Sequence, residues 1–187
     1  MKRSEATDPP SPLLETLRQA QRFGFFGAGP IDEAVEHSMS FVVALAAAGP
    51  VSSLVDLGSG GGLPGLVIAD AFRDTSILLA DRRQKRTDFL ERAVSRLDFT
   101  HVTVVAGDVE LVCRDVEAGR RSRFSAVSAR SFGPPEITLR FARRLVAPDG
   151  LIVISEPPSG DRWDARLLGE LGLYGDRQGQ VRVFHVV

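Results

Sequence analysis

The feature that most constrains the fold is a short apolar run that ends in an acid and a glycine-rich loop. Its residues are Val55-Asp56-Leu57-Gly58-Ser59-Gly60-Gly61-Gly62-Leu63-Pro64-Gly65. Gly58, Gly60 and Gly62 allow the backbone to turn tightly and to approach a bound cofactor closely. A helix that begins directly after such a turn presents free backbone N–H groups to that ligand. The segment therefore predicts a strand, a binding turn and a helix start.

Beyond this loop, apolar strand-like runs alternate with helix-like periodicity. Strands are predicted at residues 54–57, 77–81, 102–105, 124–130, 151–155 and 181–187. Helices are predicted at residues 13–22, 31–48, 84–97, 136–145 and 163–171, with a further helix beginning near Pro64 and a turn at Asp149-Gly150. Continuously apolar strands separated by helices indicate a parallel sheet that is covered on both faces. We therefore predict an α/β fold, a doubly wound, mostly parallel Rossmann-like sheet.

The length of 187 residues suits one ordinary domain. We expect residues 1–10 to form a flexible leader, 11–50 a small N-terminal helical extension and 51–187 the ligand-binding domain. No apolar run is long enough to cross a membrane. Cys113 is the only cysteine, which excludes an internal disulfide and a thiolate metal cage and favours a cytoplasmic location. The net charge of −1 gives no global basic field, although the arginines cluster locally.

Asp56 distinguishes between two classes of ligand. The spacing of Gly60, Gly62 and Gly65 also satisfies a dinucleotide fingerprint. However, a carboxylate just before the first glycine would repel a pyrophosphate, whereas it suits a ligand with ammonium and sulfonium groups. S-adenosyl-L-methionine carries both groups. Asp81, at the end of the second predicted strand, is placed to accept hydrogen bonds from ribose hydroxyls. Together the two acids predict the class I methyltransferase version of the fold.

Several other polar residues carry no such signal. Ser59 lies in Leu57-Gly58-Ser59-Gly60-Gly61, which lacks the flanking glycine spacing of a nucleophile elbow. His37, His101 and His185 lie on separate elements without metal-ligand spacing, so we expect structural roles and no metal.

The ordered motifs of the chain resemble the RsmG-like (GidB-like) family, bacterial methyltransferases that act on guanine N7 of 16S ribosomal RNA. The resemblance runs from about Ser53 to Ser155. Its most specific part is the Leu63-Pro64-Gly65 extension of the loop. The other motifs are Lys85-Arg86 and Phe89-Leu90 after Asp81, then Gly107-Asp108-Val109-Glu110, then Ser128-Ala129-Arg130-Ser131-Phe132.

This resemblance implies roles for individual residues. Gly58 and Leu63 match loop positions that contact the cofactor. Val109 and Glu110 match a pair beside the adenine. Arg130 matches an arginine beside the methyl-transfer site, and we take it as the candidate catalytic residue and a further cofactor contact. The implied partner is ribosomal RNA or the small ribosomal subunit.

The substrate half departs from the family pattern at three places. An Asn-Leu-Thr-like stretch has become the loop Phe25-Phe26-Gly27-Ala28-Gly29, and a His-x-x-Asp-Ser-Leu-like stretch survives only around His37, with Ser40 at the acid position. The Lys-Gly after the fifth strand is replaced by Ser155-Glu156. A paralogue that acts on another substrate therefore remains an alternative.

Guanine N7 has a free lone pair at neutral pH, so its methylation needs positioning and no general base. This fits the absence of a convincing acid–base pair in the sequence. Phe25, Phe26 and Phe132 are candidates for stacking on an extruded base, with core packing as the alternative. The competing functions are a small-molecule methyltransferase, a nicotinamide-dependent oxidoreductase and a non-catalytic binding module.

Overall fold

The computed structural model describes residues 11–187, and the predicted leader at residues 1–10 lies outside this range. The helices are α1 (Pro12–Arg22), α2 (Ile31–Ala47), α3 (Gly65–Ala71), α4 (Gln84–Arg96), α5 (Val109–Glu117), α6 (Pro135–Leu145) and α7 (Ala165–Leu171). The strands are β1 (Ser53–Leu57), β2 (Ser76–Asp81), β3 (Val102–Ala106), β4 (Phe124–Ala129), β5 (Val146–Ser155), β6 (Leu173–Gln178) and β7 (Val181–Val186). No helix within 11–187 has the length and apolar content of a membrane span.

All seven strands form one sheet in the order β3-β2-β1-β4-β5-β7-β6. Strands β1 to β5 pair in parallel, while β7 runs antiparallel to both β5 and β6. The predicted doubly wound, mostly parallel α/β fold is therefore confirmed. The chain leaves β1 toward one edge of the sheet and returns to place β4 on the other side of β1.

Alternate residues of β1 serve two separate cores. Leu54 joins the core formed with α1, α2, α3 and α4, while Val55 and Leu57 join the core formed with α5, α6 and α7. All three side chains are fully buried. Because both faces are covered, the strands are continuously apolar instead of alternating.

The two N-terminal helices belong to the first of these cores. Ser11 caps α1 by accepting a hydrogen bond from the backbone N–H of Leu14 at 3.2 Å. Leu17 of α1 and Phe41 and Leu45 of α2 are fully buried against the sheet side. These two helices share their core with the strands. The expected division of the chain at residue 50, into a helical extension and a ligand-binding domain, stays a prediction.

The sequence analysis missed two elements and misplaced a turn. Helix α5 was overlooked although Val109, Val112, Cys113 and Val116 follow helical spacing and are buried. Strand β6 is a polar edge strand, so it has no apolar alternation to reveal it. The turn expected at Asp149-Gly150 was wrong, because β5 continues through it beside an irregularity in β4.

Candidate active site

The order of strands reverses at β1, so the carboxyl ends of β1 and β4 open a crevice where ligands bind in folds of this kind. The glycine loop follows β1 directly at this crevice. Gly58, Gly60 and Gly62 have φ values of +66°, +60° and +105°, which other residues rarely adopt. The loop conformation thus requires glycine at the three positions that the sequence analysis selected.

Asp81 connects this loop to the start of α4. Its Oδ2 accepts a hydrogen bond from the backbone N–H of Gly60 at 2.9 Å, and its Oδ1 accepts one from the backbone N–H of Arg83 at 2.9 Å. The guanidinium of Arg86 lies 3.6 Å from Oδ2. Asp81 is 4% exposed and borders an open cleft. Each carboxylate oxygen retains a second lone pair, so the acid can still accept from a ligand hydroxyl.

This cleft, called here the nucleoside cleft, has a volume of about 430 Å³. Its walls come from the carboxyl ends of the strands and the helices that follow them. The residues that line it include Gly58, Asp81, Asp108, Val109, Phe132 and Ile137. Val109 is buried and borders this cleft, and its implied place beside the adenine stays a prediction. Asp108 caps α5 by accepting from the backbone N–H of Glu110 at 2.9 Å.

Phe132 lies directly over the first glycine of the loop. A Cβ on Gly58 would come 2.8 Å from Cδ2 of Phe132, well inside contact distance. The ring also packs edge-on against Phe141 of α6. Gly58 is therefore required twice, once by its backbone conformation and once by the aromatic ring above it.

Asp56 does not lie on the surface of the cleft. It is 1% exposed, its Oδ1 accepts from the hydroxyl of Ser128 at 2.7 Å, and Oδ2 has no hydrogen-bond partner among the described residues. A Cβ on Gly65 would stand 2.7 Å from Oδ2, so the carboxylate sits beneath the start of α3. Burial raises the pKa of Asp56 to about 6. The structure thus corrects the expected direct contact between Asp56 and a cationic ligand, because the carboxylate lies beneath the start of α3. The acid can act on such a ligand only through the loop above it.

Glu110 also points away from the nucleoside cleft. Its carboxylate pairs with Arg144 of α6 at 2.6 Å and with Arg114 at 3.3 Å. Hydrogen bonding to Arg144 lowers the pKa of Glu110 to about 2. The Glu110 side chain therefore ties α5 to α6. A contact with the adenine, as the resemblance implied, would have to come from the backbone of Glu110.

Arg130 follows β4 and lies on the other side of the loop. Its Nη1 donates to the backbone oxygen of Ala34 at 3.0 Å and to the hydroxyl of Ser38 at 3.1 Å. Burial lowers the pKa of Arg130 from its ordinary value. Arg130 thus joins the strand end to α2, and it borders a groove of about 250 Å³ shared with Gly58 and Leu63. We call this the central groove.

A third cavity, the outer pocket, continues from the central groove past Arg130, Leu63 and Phe26. Its volume is about 540 Å³, and it extends to α2, the segment after β5 and the β6–β7 turn. Glu156 borders this pocket, and its buried Oε1 accepts from the indole N–H of Trp163. His37 borders it as well, and burial followed by the charge of Arg130 lowers the pKa of this imidazole.

The structure therefore brings the predicted residues together at one edge of the sheet, but on different cavities. Asp81 and Val109 border the nucleoside cleft, Leu63 and Arg130 border the central groove and outer pocket, and Gly58 links the first two cavities. The sequence analysis did not identify Ser128 as the partner of Asp56 or Arg86 as a partner of Asp81. It also gave no role to Asp108. The available signals were the positions of Ser128 and Asp108 at or near strand ends and the position of Arg86 in the first turn of α4.

Metal ligation has no basis in the described part of the chain. Residues 11–187 contain no group of three or more His, Cys, Asp or Glu side chains that could hold an ion. The histidines lie far apart: one His101 ring nitrogen is 3.0 Å from the backbone oxygen of Ala69, and His185 stacks on Tyr174.

The fold is similar to those of solved methyltransferases. An O-methyltransferase from Bacillus cereus, solved with S-adenosylhomocysteine, has a TM-score of 0.69 at 14% identity and covers 98% of this chain and 93% of its own. An O-methyltransferase from Streptomyces achromogenes, solved with S-adenosylmethionine, has a TM-score of 0.65 at 11% identity, with coverage of 98% and 92%. At such identities the likeness shows the fold alone, which is that of the class I methyltransferases.

Closer sequence relatives share one description. The ribosomal RNA small subunit methyltransferase G of Novosphingobium aromaticivorans is 36% identical over 116 residues, which is 62% of this chain and 47% of the relative. That of Burkholderia thailandensis is 36% identical over 115 residues, with 62% and 49% covered. The matched part is thus about half the length of these relatives. The model of the GidB family, rRNA small subunit methyltransferase G, matches residues 17–156. Because this match covers most of the chain, the protein belongs to the rRNA small subunit methyltransferase G family.

Proposed function

We propose that this chain is an S-adenosyl-L-methionine-dependent methyltransferase of the small-subunit ribosomal RNA, with guanine N7 as the acceptor atom. One observation carries most of the proposal. Asp81 accepts a hydrogen bond from the backbone of the glycine loop, and it also borders a cleft of nucleoside size. Family membership and the names of the curated relatives support the transfer of this function.

The residues present fit the cofactor. The nucleoside cleft falls within the ordinary range of small-ligand sites and offers Asp81 for the ribose, with Asp108 and apolar Val109 and Ile137 for the base. The central groove adjoins it through Gly58 and suits the methionyl end of the ligand. Asp56 adds a buried negative charge beneath the loop, which favours a cation and opposes a pyrophosphate.

Bound S-adenosyl-L-methionine supplies an electrophilic methyl group. The chain's own contribution is positioning, since guanine N7 needs no proton removed before it attacks. The outer pocket is the place we assign to the acceptor, because it meets the central groove at Arg130. Arg130 would orient the acceptor base or its phosphate from the rigid end of β4, and its bonds to Ala34 and Ser38 hold it there.

The outer pocket also carries the main departure from the family. Glu156 stands where the resemblance implied a lysine-glycine pair, and its carboxylate is satisfied in part by Trp163 and lies 3.6 Å from Arg182. This buried anion is partly neutralised within the protein, so it opposes a phosphate chain at the rim less than an unpaired carboxylate would. The proposed target, ribosomal RNA, implies a cytoplasmic site of action.

The test is mass spectrometry of nucleosides after incubation of the protein and cofactor with small ribosomal subunits or rRNA that lack the modification. We expect 7-methylguanosine at one site, with less product from the variant Asp81→Ala when the cofactor does not saturate the wild type. A purified subunit and naked rRNA should be compared, because the natural substrate is one of the two.

Four results would contradict the proposal. Methylation of another RNA atom would refute the guanine-N7 assignment alone. Cofactor turnover only with small molecules would move the function to the rival methyltransferase class. Tight binding of NADH with no binding of S-adenosylhomocysteine would refute the cofactor itself. Cofactor binding without any turnover on RNA or small molecules would leave a non-catalytic module.

A further inference from the structure

The basic side chains of the described residues divide into two groups. Most of them are engaged: nine arginine side chains form ion pairs with acids, as Arg144 does with Glu110 and Glu117, and others bond to backbone oxygens, as Arg177 does to Pro157. Within residues 11–187, those that make neither kind of bond are concentrated on α1, on α4 and just before α4. They are Arg18, Arg22, Arg82, Arg83, Lys85 and Arg92, with Arg121 as the one elsewhere.

Helical geometry places four of these cations on one continuous surface. Arg18 and Arg22 are three and seven residues from Glu15, so they lie along the same stripe of α1. Arg92 and Lys85 lie four and eleven residues before Arg96, on the corresponding stripe of α4. Glu15 and Arg96 form an ion pair at 2.8 Å, which joins the two stripes at one end.

An aromatic cluster joins the helices at the other end. Phe23 follows α1 and packs edge-on against Phe89 of α4, with ring centroids 6.0 Å apart. Phe25 contacts both rings, at 5.9 Å and 5.6 Å. The helices are therefore antiparallel, and Arg22 is brought to the end of α4 that carries Lys85, Arg82 and Arg83.

Phe23 is an unusual part of this surface because its side chain is exposed. It is 54% exposed, although its ring is braced from below by Phe25 and Phe89. An exposed, rigid aromatic ring surrounded by unneutralised cations is suited to stack on a base whose neighbouring phosphates meet the cations. The two acids of α4, Asp88 and Glu91, form no ion pair among residues 11–187, and the amide of Gln84 donates to Asp88 at 2.7 Å. Two acids do not balance the six cations on and beside α1 and α4, so the surface keeps a net positive charge.

The surface leads to the candidate active site. Arg82 and Arg83 border the nucleoside cleft, and Arg86 borders both the cleft and the central groove. The Arg86 guanidinium also lies 5.9 Å from the Phe25 ring and 3.6 Å from Asp81. A strand bound along α1 and α4 would therefore approach the site from the side of the glycine loop.

We infer that the surface formed by Arg18, Arg22, Phe23, Lys85 and Arg92 is a docking site for a single-stranded segment of the RNA substrate, with one base stacked on Phe23. This inference rests on the proposed function, since it supposes an RNA substrate. A single-stranded partner fits because stacking needs an unpaired base, and helical RNA offers none to an exposed ring. The site is separate from the outer pocket, so it determines affinity and leaves the chemistry unchanged.

The test compares two variants with one control, using a fluorescein-labelled single-stranded RNA of mixed sequence and, separately, rRNA methylation. Arg22→Ala/Lys85→Ala removes two cations, and Phe23→Ala removes the ring. The control Arg120→Ala/Arg166→Ala removes two exposed cations that are paired with Asp115 and Glu170. Binding of S-adenosylhomocysteine and the circular dichroism spectrum should be the same for all four proteins.

We expect the two-cation variant to lower the slope of log affinity against log salt by about 1.4 for single strands. Phe23→Ala should weaken RNA binding about tenfold with an unchanged slope. An additional rescue variant, Phe23→Trp, should bind RNA as tightly as the wild type. The control should match the wild type. Equal affinities in all variants would overturn the docking surface, whatever the enzyme methylates. Weakened oligonucleotide binding without any rRNA methylation would support the surface and refute the proposed function. No binding of the labelled RNA by the wild type would refute the docking surface alone, since the proposed function is decided by the methylation of subunits or rRNA.

Discussion

The carboxylate of Asp81 accepts a hydrogen bond from the backbone N–H of Gly60 at 2.9 Å, which joins the end of β2 to the loop that follows β1. The same carboxylate accepts from Arg83 at the start of α4. One buried acid thus organises two elements that meet at the nucleoside cleft, while its remaining lone pairs are free to accept from a ligand hydroxyl. The loop geometry and the proposed ribose contact therefore depend on the same residue.

Replacing Asp81 with alanine should weaken the binding of S-adenosylhomocysteine by about 1–3 kcal/mol, because ribose hydroxyls and two backbone donors lose their acceptor. Isothermal titration calorimetry measures the change. Asp88→Ala is the matched control, since that acid bonds only the amide of Gln84 and should leave the affinity unaltered. An Asp81→Ala protein that folds and binds as tightly as the wild type would remove the acid from the cofactor site.

Asp56 should make stability depend on pH in a defined direction. Burial raises its pKa from 3.8 to about 6, so the folded state resists the charged form. The resulting penalty is absent below the unfolded pKa and complete above the folded one. Relative to Asp56→Asn, the wild type should therefore lose roughly 3 kcal/mol between pH 4 and pH 7, as an upper value. Urea unfolding of both proteins across this range measures it, and a difference independent of pH would contradict the buried placement.

Gly61 reports on the packing of the Phe25-Phe26 segment over the loop. An alanine Cβ at Gly61 would stand 2.7 Å from the ring of Phe26, so Gly61→Ala should cost about 1–3 kcal/mol by overpacking. Adding Phe26→Ala should recover part of this loss, a coupling that a double-mutant cycle by thermal unfolding measures. Gly27→Ala is the control, because nothing lies within 4 Å of its Cβ position. Strictly additive effects would mean that the segment does not pack on the loop.

Glu110→Gln should leave cofactor affinity within about twofold of the wild type, as expected for a side chain engaged elsewhere by Arg144 and Arg114. Stability should fall slightly at neutral pH. The wild type's advantage should vanish as the pH drops from 4.5 toward about 2, because the lowered pKa stabilises only the charged form. Fluorescence titration with S-adenosylhomocysteine measures the affinity. A loss of tenfold or more would restore the carboxylate to the adenine site that the resemblance implied.

Arg130→Ala should abolish methyl transfer to RNA while cofactor binding falls by no more than a few fold. Arg130→Lys keeps the charge and a nitrogen that can donate to Ala34 and Ser38, but it lacks the further guanidinium donors that would orient the acceptor, so it should retain little activity. Ser38→Ala is the positioning control, which should lower turnover more than cofactor affinity. Full activity of Arg130→Ala would show that methyl transfer does not depend on this arginine.

The sequence alone determined the architecture and the location of the loop. Strands buried on both faces must be continuously apolar, and three glycines with positive φ leave a pattern that no other residue replaces, so both could be predicted from residue types. The family resemblance followed from the same local motifs. Strand β6 and the irregular part of β5 could not be predicted, because a polar edge strand and a strand that passes through Asp149-Gly150 lack the usual signals.

Only the tertiary structure decided the orientation of the charged groups. Asp56 and Asp81 each end or nearly end a strand, yet one lies beneath α3 and the other borders the cleft. Glu110 follows the β3 loop as expected, but its carboxylate is drawn to Arg144, which is 34 residues away. Arg22 and Lys85 likewise lie toward the same end of the helix pair only because α1 and α4 are antiparallel. Side-chain direction depends on partners distant in the chain, and local sequence carries no information about them.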